Sequence, residues 1–154
     1  MIIALLILHG LLAVALLGAL THQAFAVAAV KSDKKRSFFA RFRNVNAAAY
    51  AKPIALLFLV TALGGGLLYP NYRVNVRPAL EDLQLRAASG AFEIKEHLVA
   101  VGLGLLPGYL FFWQTPLVPE QASTRRYLTW LLAFLVWWSF LTGHVLNNIK
   151  GIPL

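Results

Sequence analysis

The stretch IIALLILHGLLAVALLGALTHQAFAVAAV, residues 2–30, is apolar except for His9, Thr21, His22 and Gln23. A membrane-crossing helix needs about 20 mostly apolar residues, each adding ~1.5 Å against a hydrocarbon core of ~30 Å. Residues 2–30 meet that requirement, and three further apolar segments follow at about 53–69, 92–113 and 127–146. The second and third are short if only their unbroken apolar runs are counted, but both extend into amphipathic flanks, the third backwards through residues 87–96. Ala24-Phe25-Ala26 resembles a signal-peptidase site. A cleaved signal, however, carries a basic residue before a core of about 7–15 apolar residues. Here the first basic residue is Lys31, after the run, so the segment is expected to remain as a helix.

The rest of the composition agrees. Of 154 residues, 59% are apolar and 13% charged, against about 25% charged in an ordinary soluble domain. The chain is therefore expected to be all-α, one integral membrane four-helix bundle over residues 1–154. It contains no cysteine, which excludes disulfides, thiolate metal sites, iron–sulfur clusters and covalent haem attachment.

Charge position sets the expected orientation. Lys31, Lys34, Lys35, Arg36, Arg41, Arg43 and Lys52 lie between the first two spans, and Arg125 and Arg126 between the last two. Arg73, Arg77, Arg86, Lys95 and Lys150 fall on the other side, nine against five. The positive-inside rule then places both termini and the 70–96 connection outside, in what reads as a bacterial inner membrane. The 31–52 loop becomes a contact for anionic lipid, with Phe38, Phe39 and Phe42 forming an amphipathic stretch on the inner leaflet. Aromatic residues alternate with basic ones too sparsely elsewhere for a nucleic-acid surface.

With so few polar groups, chemistry falls to four histidines. Ionisable residues inside a membrane are costly and normally face the bundle interior. Counting from the inner boundaries, His9 lies about 33 Å up its helix, and His97 and His144 about 27 Å up theirs. Three imidazoles from three helices are thus expected near one level, close to the outer face. The same count from Lys52 brings Tyr72, Arg73 and Arg77 of span two to that level, and Glu93 and Glu96 lie within a turn of His97. His22 sits alone about 13 Å above the inner boundary, at the depth given for Thr61. It is read either as hydrogen-bonded to Thr61 or a backbone carbonyl, or as a proton relay or single axial ligand.

Three readings of the outer cluster stay open. Two of His9, His97 and His144 could hold haem b, with Arg73 and Arg77 pairing with its propionates. The glycines at 64–66, 102 and 104 would then leave room for a flat macrocycle. Alternatively, His9, His97 and His144 with Glu93 or Glu96 offer three nitrogens and an oxygen to copper, zinc or iron without a porphyrin. In the third reading the histidines only bridge helices, and the protein is a non-catalytic accessory or assembly subunit of a respiratory or metal-handling complex. Phosphate-loop, serine-hydrolase and zinc-protease motifs are absent. Ala100, Gly104 and Gly108 form a small-residue stripe of the kind that packs helices.

Leu8-His9 early in span one, Lys52-Pro53 opening span two and Glu93-Ile94-Lys95-Glu96-His97 opening span three carry a resemblance. The chain resembles the small four-helix b-type haem membrane proteins: cytochrome b561-like, membrane protoporphyrinogen oxidase-like and copper-resistance D-like. That resemblance implies a haem held by histidines and a redox function with a membrane partner. It also maps a lysine of the oxidase-like group onto Lys95. His144, late in span four, departs from the oxidase-like pattern, so no particular reaction follows.

Overall fold

The structure, a computed structural model, describes residues 1–28, 46–116 and 118–149. The basic cluster from Lys31 to Arg43, its three phenylalanines and Lys150 lie outside the described residues.

The protein is all-α. Helix α1 spans Ile2–Ala28. A short 3-10 turn, Ala47–Tyr50, leads into α2, Ala51–Asn71. One wide π turn, Tyr72–Val76, then joins α2 to a short α3, Arg77–Asp82. Helix α4 runs Arg86–Gln114 and α5 runs Pro119–Asn147. Among the described residues four helical rods, with Ala47–Asp82 counted as one, are long and apolar enough to cross a membrane. That property is consistent with an integral membrane protein.

Surface chemistry supports the same environment. Ile3, Ile7, Leu11 and Val14 form an exposed stripe along α1. Leu56, Leu59, Leu63 and Leu67 do the same on α2, and Trp130, Phe134, Trp137 and Leu141 on α5. Soluble monomers rarely expose contiguous apolar patches beyond a few hundred Å². Here apolar side chains cover the outside of every rod, as a hydrocarbon solvent requires.

Helix α1 packs on α2 and α5, and α4 packs on α2 and α5, so the four rods close into a ring. Neighbours run antiparallel. His9 lies beside Gly64 and Gly65, while Gln23 hydrogen-bonds the Ala47 carbonyl, which fixes the α1–α2 register at both ends. Phe58 lies against Gly102, and Tyr72 stacks on Phe92 at 3.6 Å between ring centres, fixing α2 against α4. The end of the ring at which α1 begins is its terminus end.

The two ends are built differently. Toward the opposite end, Leu16, Leu20, Ile54, Phe58, Leu106, Tyr109, Trp113 and Leu132 fill the core. Gln23 and Tyr109 are fully buried there, and the Tyr109 hydroxyl donates to Gln23 Oε1 at 2.6 Å, crossing the ring diagonally from α4 to α1. Gln23 Nε2 donates to the Ala47 carbonyl at 2.9 Å, so one side chain joins three elements. Trp113 Nε1 donates to Thr129 Oγ1 at 3.1 Å, and Arg125 Nη2 to the Thr115 carbonyl at 2.9 Å, closing the α4–α5 turn. Buried polar groups must be paired in an apolar medium, and at this end Gln23, Tyr109, Trp113 and Thr129 pair one another or the backbone, while Arg125 Nε stays unpaired.

Pro70 lies inside α2 and Pro107 inside α4. Each removes one backbone donor, which membrane helices tolerate when neighbouring groups compensate. The π turn follows Pro70 within one turn and places Tyr72 against α4, where its hydroxyl lies 3.3 Å from Ser89 Oγ.

Candidate functional site

The terminus half of the ring is hollow. A cavity of about 290 Å³ runs between the helices, lined along α1 from Ile2 to Leu16. At ~1.5 Å per residue that lining is about 21 Å long. Its walls are mainly apolar: Leu6, Ala13, Phe58, Leu68, Val99 and Leu135 among others.

A few polar groups interrupt these walls. His9 comes from α1, Thr61 from α2, Lys95 and Glu96 from α4, and Ser139 and His144 from α5. Three of them present buried atoms without a hydrogen-bond partner: His9 Nδ1, Thr61 Oγ1 and Ser139 Oγ. A buried polar atom left unpaired costs about 1–3 kcal/mol. These three atoms come from three different helices around the cavity. Lys95 Nζ meets Glu96 Oε1 at 2.8 Å and lies 4.1 Å over the Phe92 ring, so a compensated charge pair sits on the same wall.

The structure brings together only part of the expected cluster. His9 and His144 line the cavity, the latter with its ring stacked on Phe140. Glu96 lines it too. His97 is exposed outside it, with its Nδ1 2.7 Å from the Glu93 carbonyl one turn back. Arg73 is exposed and lines no part of the cavity. Arg77 is held by Glu81 at 2.8 Å and Glu93 at 3.1 Å, beyond the π turn. Among the described residues no group of three or more histidines and carboxylates is placed to hold a metal ion. The porphyrin-free arrangement of His9, His97 and His144 with Glu93 or Glu96 is therefore not assembled.

One register explains most of these differences. The depth count took Lys52 as the inner edge of span two, but helical structure begins at Ala47 and Lys52 lies inside it. His9 consequently faces Gly64 and Gly65 instead of residues 70–74, and the two arginines lie farther along the rod. Thr61 moves with the register. It lines the cavity near His9, whereas His22 lies beside the Tyr50 ring, 5.6 Å between centres.

The glycines also have different neighbours from those expected. A Cβ built on Gly64 would stand 3.3 Å from His9 Nδ1, and one on Gly65 would stand 3.4 Å from His9 Cε1. A Cβ on Gly102 would fall 2.4 Å from Phe58 Cζ. These glycines make space for the protein's own rings, and the gap they leave is already filled. Gly104 and Gly66 face open space.

No family model matches the chain, nor does any curated protein or solved structure. The site therefore rests on its own chemistry.

Of the groups that a b-type haem requires, the cavity lining supplies two imidazoles and one cation. Two imidazoles on separate helices share one elongated apolar cavity, and a lysine lies on the same wall. The volume is at the lower edge of the ~300–1,000 Å³ typical of ligand pockets. The arginine pair and the glycine slots do not serve it. Ser139 escaped the sequence reading, although a lone hydroxyl in the apolar run of α5 was the available signal.

Proposed function

We propose that the protein is a membrane haem b protein that transfers electrons, with His9 and His144 as the residues that would hold the haem. One observation carries this reading: two imidazoles from different helices line a single long apolar cavity, and His9 Nδ1 is buried there without a side-chain partner. Haem supplies one-electron chemistry when bound. The chain's part is to hold and tune. Neutral imidazoles from α1 and α5 would hold the iron, an arrangement that would favour electron transfer over ligand activation. Leu6, Ala13, Phe58 and Leu135 line the cavity with apolar groups that would exclude water from a bound haem, a principal lever on reduction potential. Lys95 is the cation nearest to the role expected of Arg73 and Arg77, and a carboxylate edge would have to displace Glu96, its partner at 2.8 Å.

Orientation follows from the basic residues. The terminus end faces outward, the 31–52 loop meets anionic lipid on the cytoplasmic side, and the membrane is a bacterial inner membrane. The site then exchanges electrons between a membrane partner and an acceptor outside.

The deciding experiment is haem titration of the full-length protein in detergent, followed by dithionite reduction. A stoichiometric complex with a sharp reduced alpha band is expected. A chain that takes up no haem overturns the reading and leaves the accessory-subunit role.

A further inference from the structure

Lys95 and Glu96 are sequence neighbours on α4, and both line the cavity. Successive residues point about 100° apart around a helix and do not face each other. Their 2.8 Å contact is therefore made by the flexible ends of the side chains, not by helix register. The two ends are held differently. Lys95, with its side chain 13% exposed, places Nζ 4.1 Å over the Phe92 ring. Phe92 stacks on Tyr72 at 3.6 Å, and the Tyr72 hydroxyl lies 3.3 Å from Ser89 Oγ. The Glu96 side chain is 31% exposed, and among the described residues Lys95 is the one cation it meets. The ammonium thus rests on a column of packed rings, while the carboxylate is free to turn to water.

We propose that Glu96 is a built-in stand-in for the carboxylate of the cavity's ligand, pairing with Lys95 in the ligand-free protein and leaving it when the ligand's own carboxylate arrives. A cation on an apolar wall within a membrane needs a counter-ion at all times, and Glu96 supplies one until the ligand does. The exchange replaces one ammonium–carboxylate pair by another, so Glu96 lowers the affinity for an acid and leaves that for its ester alone. The ligand class is an apolar molecule with an acidic end, because the remaining lining is mainly apolar. Two sources share that chemistry: the propionate edge of a haem and the head of a fatty acid. For the first the inference rests on the haem reading; for the second it stands without it.

The test titrates full-length protein in detergent with protohaem and with its dimethyl ester, which carries no free carboxylate. Glu96→Gln is expected to bind protohaem about fivefold more tightly than the wild type, the upper range for a partly exposed ion pair, and the ester with unchanged affinity. Glu96→Asp, which draws the carboxylate back by one methylene and keeps its charge, is expected to shift protohaem binding the same way by less. Adding Lys95→Met to Glu96→Gln is expected to abolish the gain. Unchanged or weaker protohaem binding in Glu96→Gln with ester binding intact overturns the proposal. An equal loss for both ligands makes Glu96 a structural residue and overturns it too. Palmitate and methyl palmitate, titrated into the same variants, test the second source. If no form takes up either haem, tighter binding of palmitate alone in Glu96→Gln overturns only the haem reading, and its absence overturns both.

Discussion

His9 and Gly64 are matched across the α1–α2 seam: the imidazole occupies the space that a side chain at residue 64 would need, with only 3.3 Å between Nδ1 and the Cβ position. A separation that short is tight for a rigid ring packed on a helix, so Gly64→Ala must displace the ring by a few tenths of an ångström. Haem affinity is expected to fall while helix content by circular dichroism stays the same. Gly66→Ala, facing open space, is the control. It is expected to leave binding unchanged and to stabilise the helix by up to about 1 kcal/mol, because alanine is the better helix former.

Replacing the histidines one at a time separates the sites. His9→Ala and His144→Ala are each expected to abolish the reduced alpha band of a bis-imidazole complex, while His97→Ala keeps it. His97 lies outside the cavity and bonds its own helix. Loss of the band in His97→Ala with retention in His144→Ala would reassign the second ligand.

Gly102→Ala tests the core. Its Cβ would lie 2.4 Å from Phe58 Cζ, well inside contact distance. Overpacking of this kind costs about 1–3 kcal/mol. The thermal midpoint in detergent is expected to drop, and Phe58→Leu in the same chain is expected to recover most of it.

Gln23→Leu removes the link between Tyr109 and the Ala47 carbonyl and leaves the Tyr109 hydroxyl buried without an acceptor. Interhelical hydrogen bonds in membranes are worth about 0.6–2 kcal/mol each. Unfolding by denaturing detergent should require correspondingly less denaturant, while haem affinity, set at the other end of the bundle, stays near wild type.

Arg77→Ala should do neither. Its partners Glu81 and Glu93 are half-exposed to exposed, and surface ion pairs contribute little. Haem titration and thermal midpoint are both expected to match the wild type. A loss of haem affinity in this variant would restore Arg77 to the site.

The four rods were legible in the sequence because hydropathy alone marks helices solvated by lipid, as the run from Ile2 shows. Depth within them was less legible. Lys52 read as an edge, yet a lysine stem can lie along apolar surface with its charge reaching water, so a charge need not end a helix. That one assumption displaced Thr61, Arg73 and Arg77 relative to His9. The purpose of Gly64 and Gly102 was hidden for another reason: a glycine reports that space is needed, but only packing shows whose ring takes it.

The hydrogen bonds of Thr21 and Gln23 pin α1 near its last turns, to Trp137, Tyr109 and the Ala47 carbonyl, while its first half rests on apolar packing. The molecule is therefore arranged like a clothes-peg, with a sprung base and two jaws. At the jaws α1 meets its neighbours mainly through dispersive contacts, which lipid tails can replace, whereas the base is tied by buried hydrogen bonds that lipid cannot.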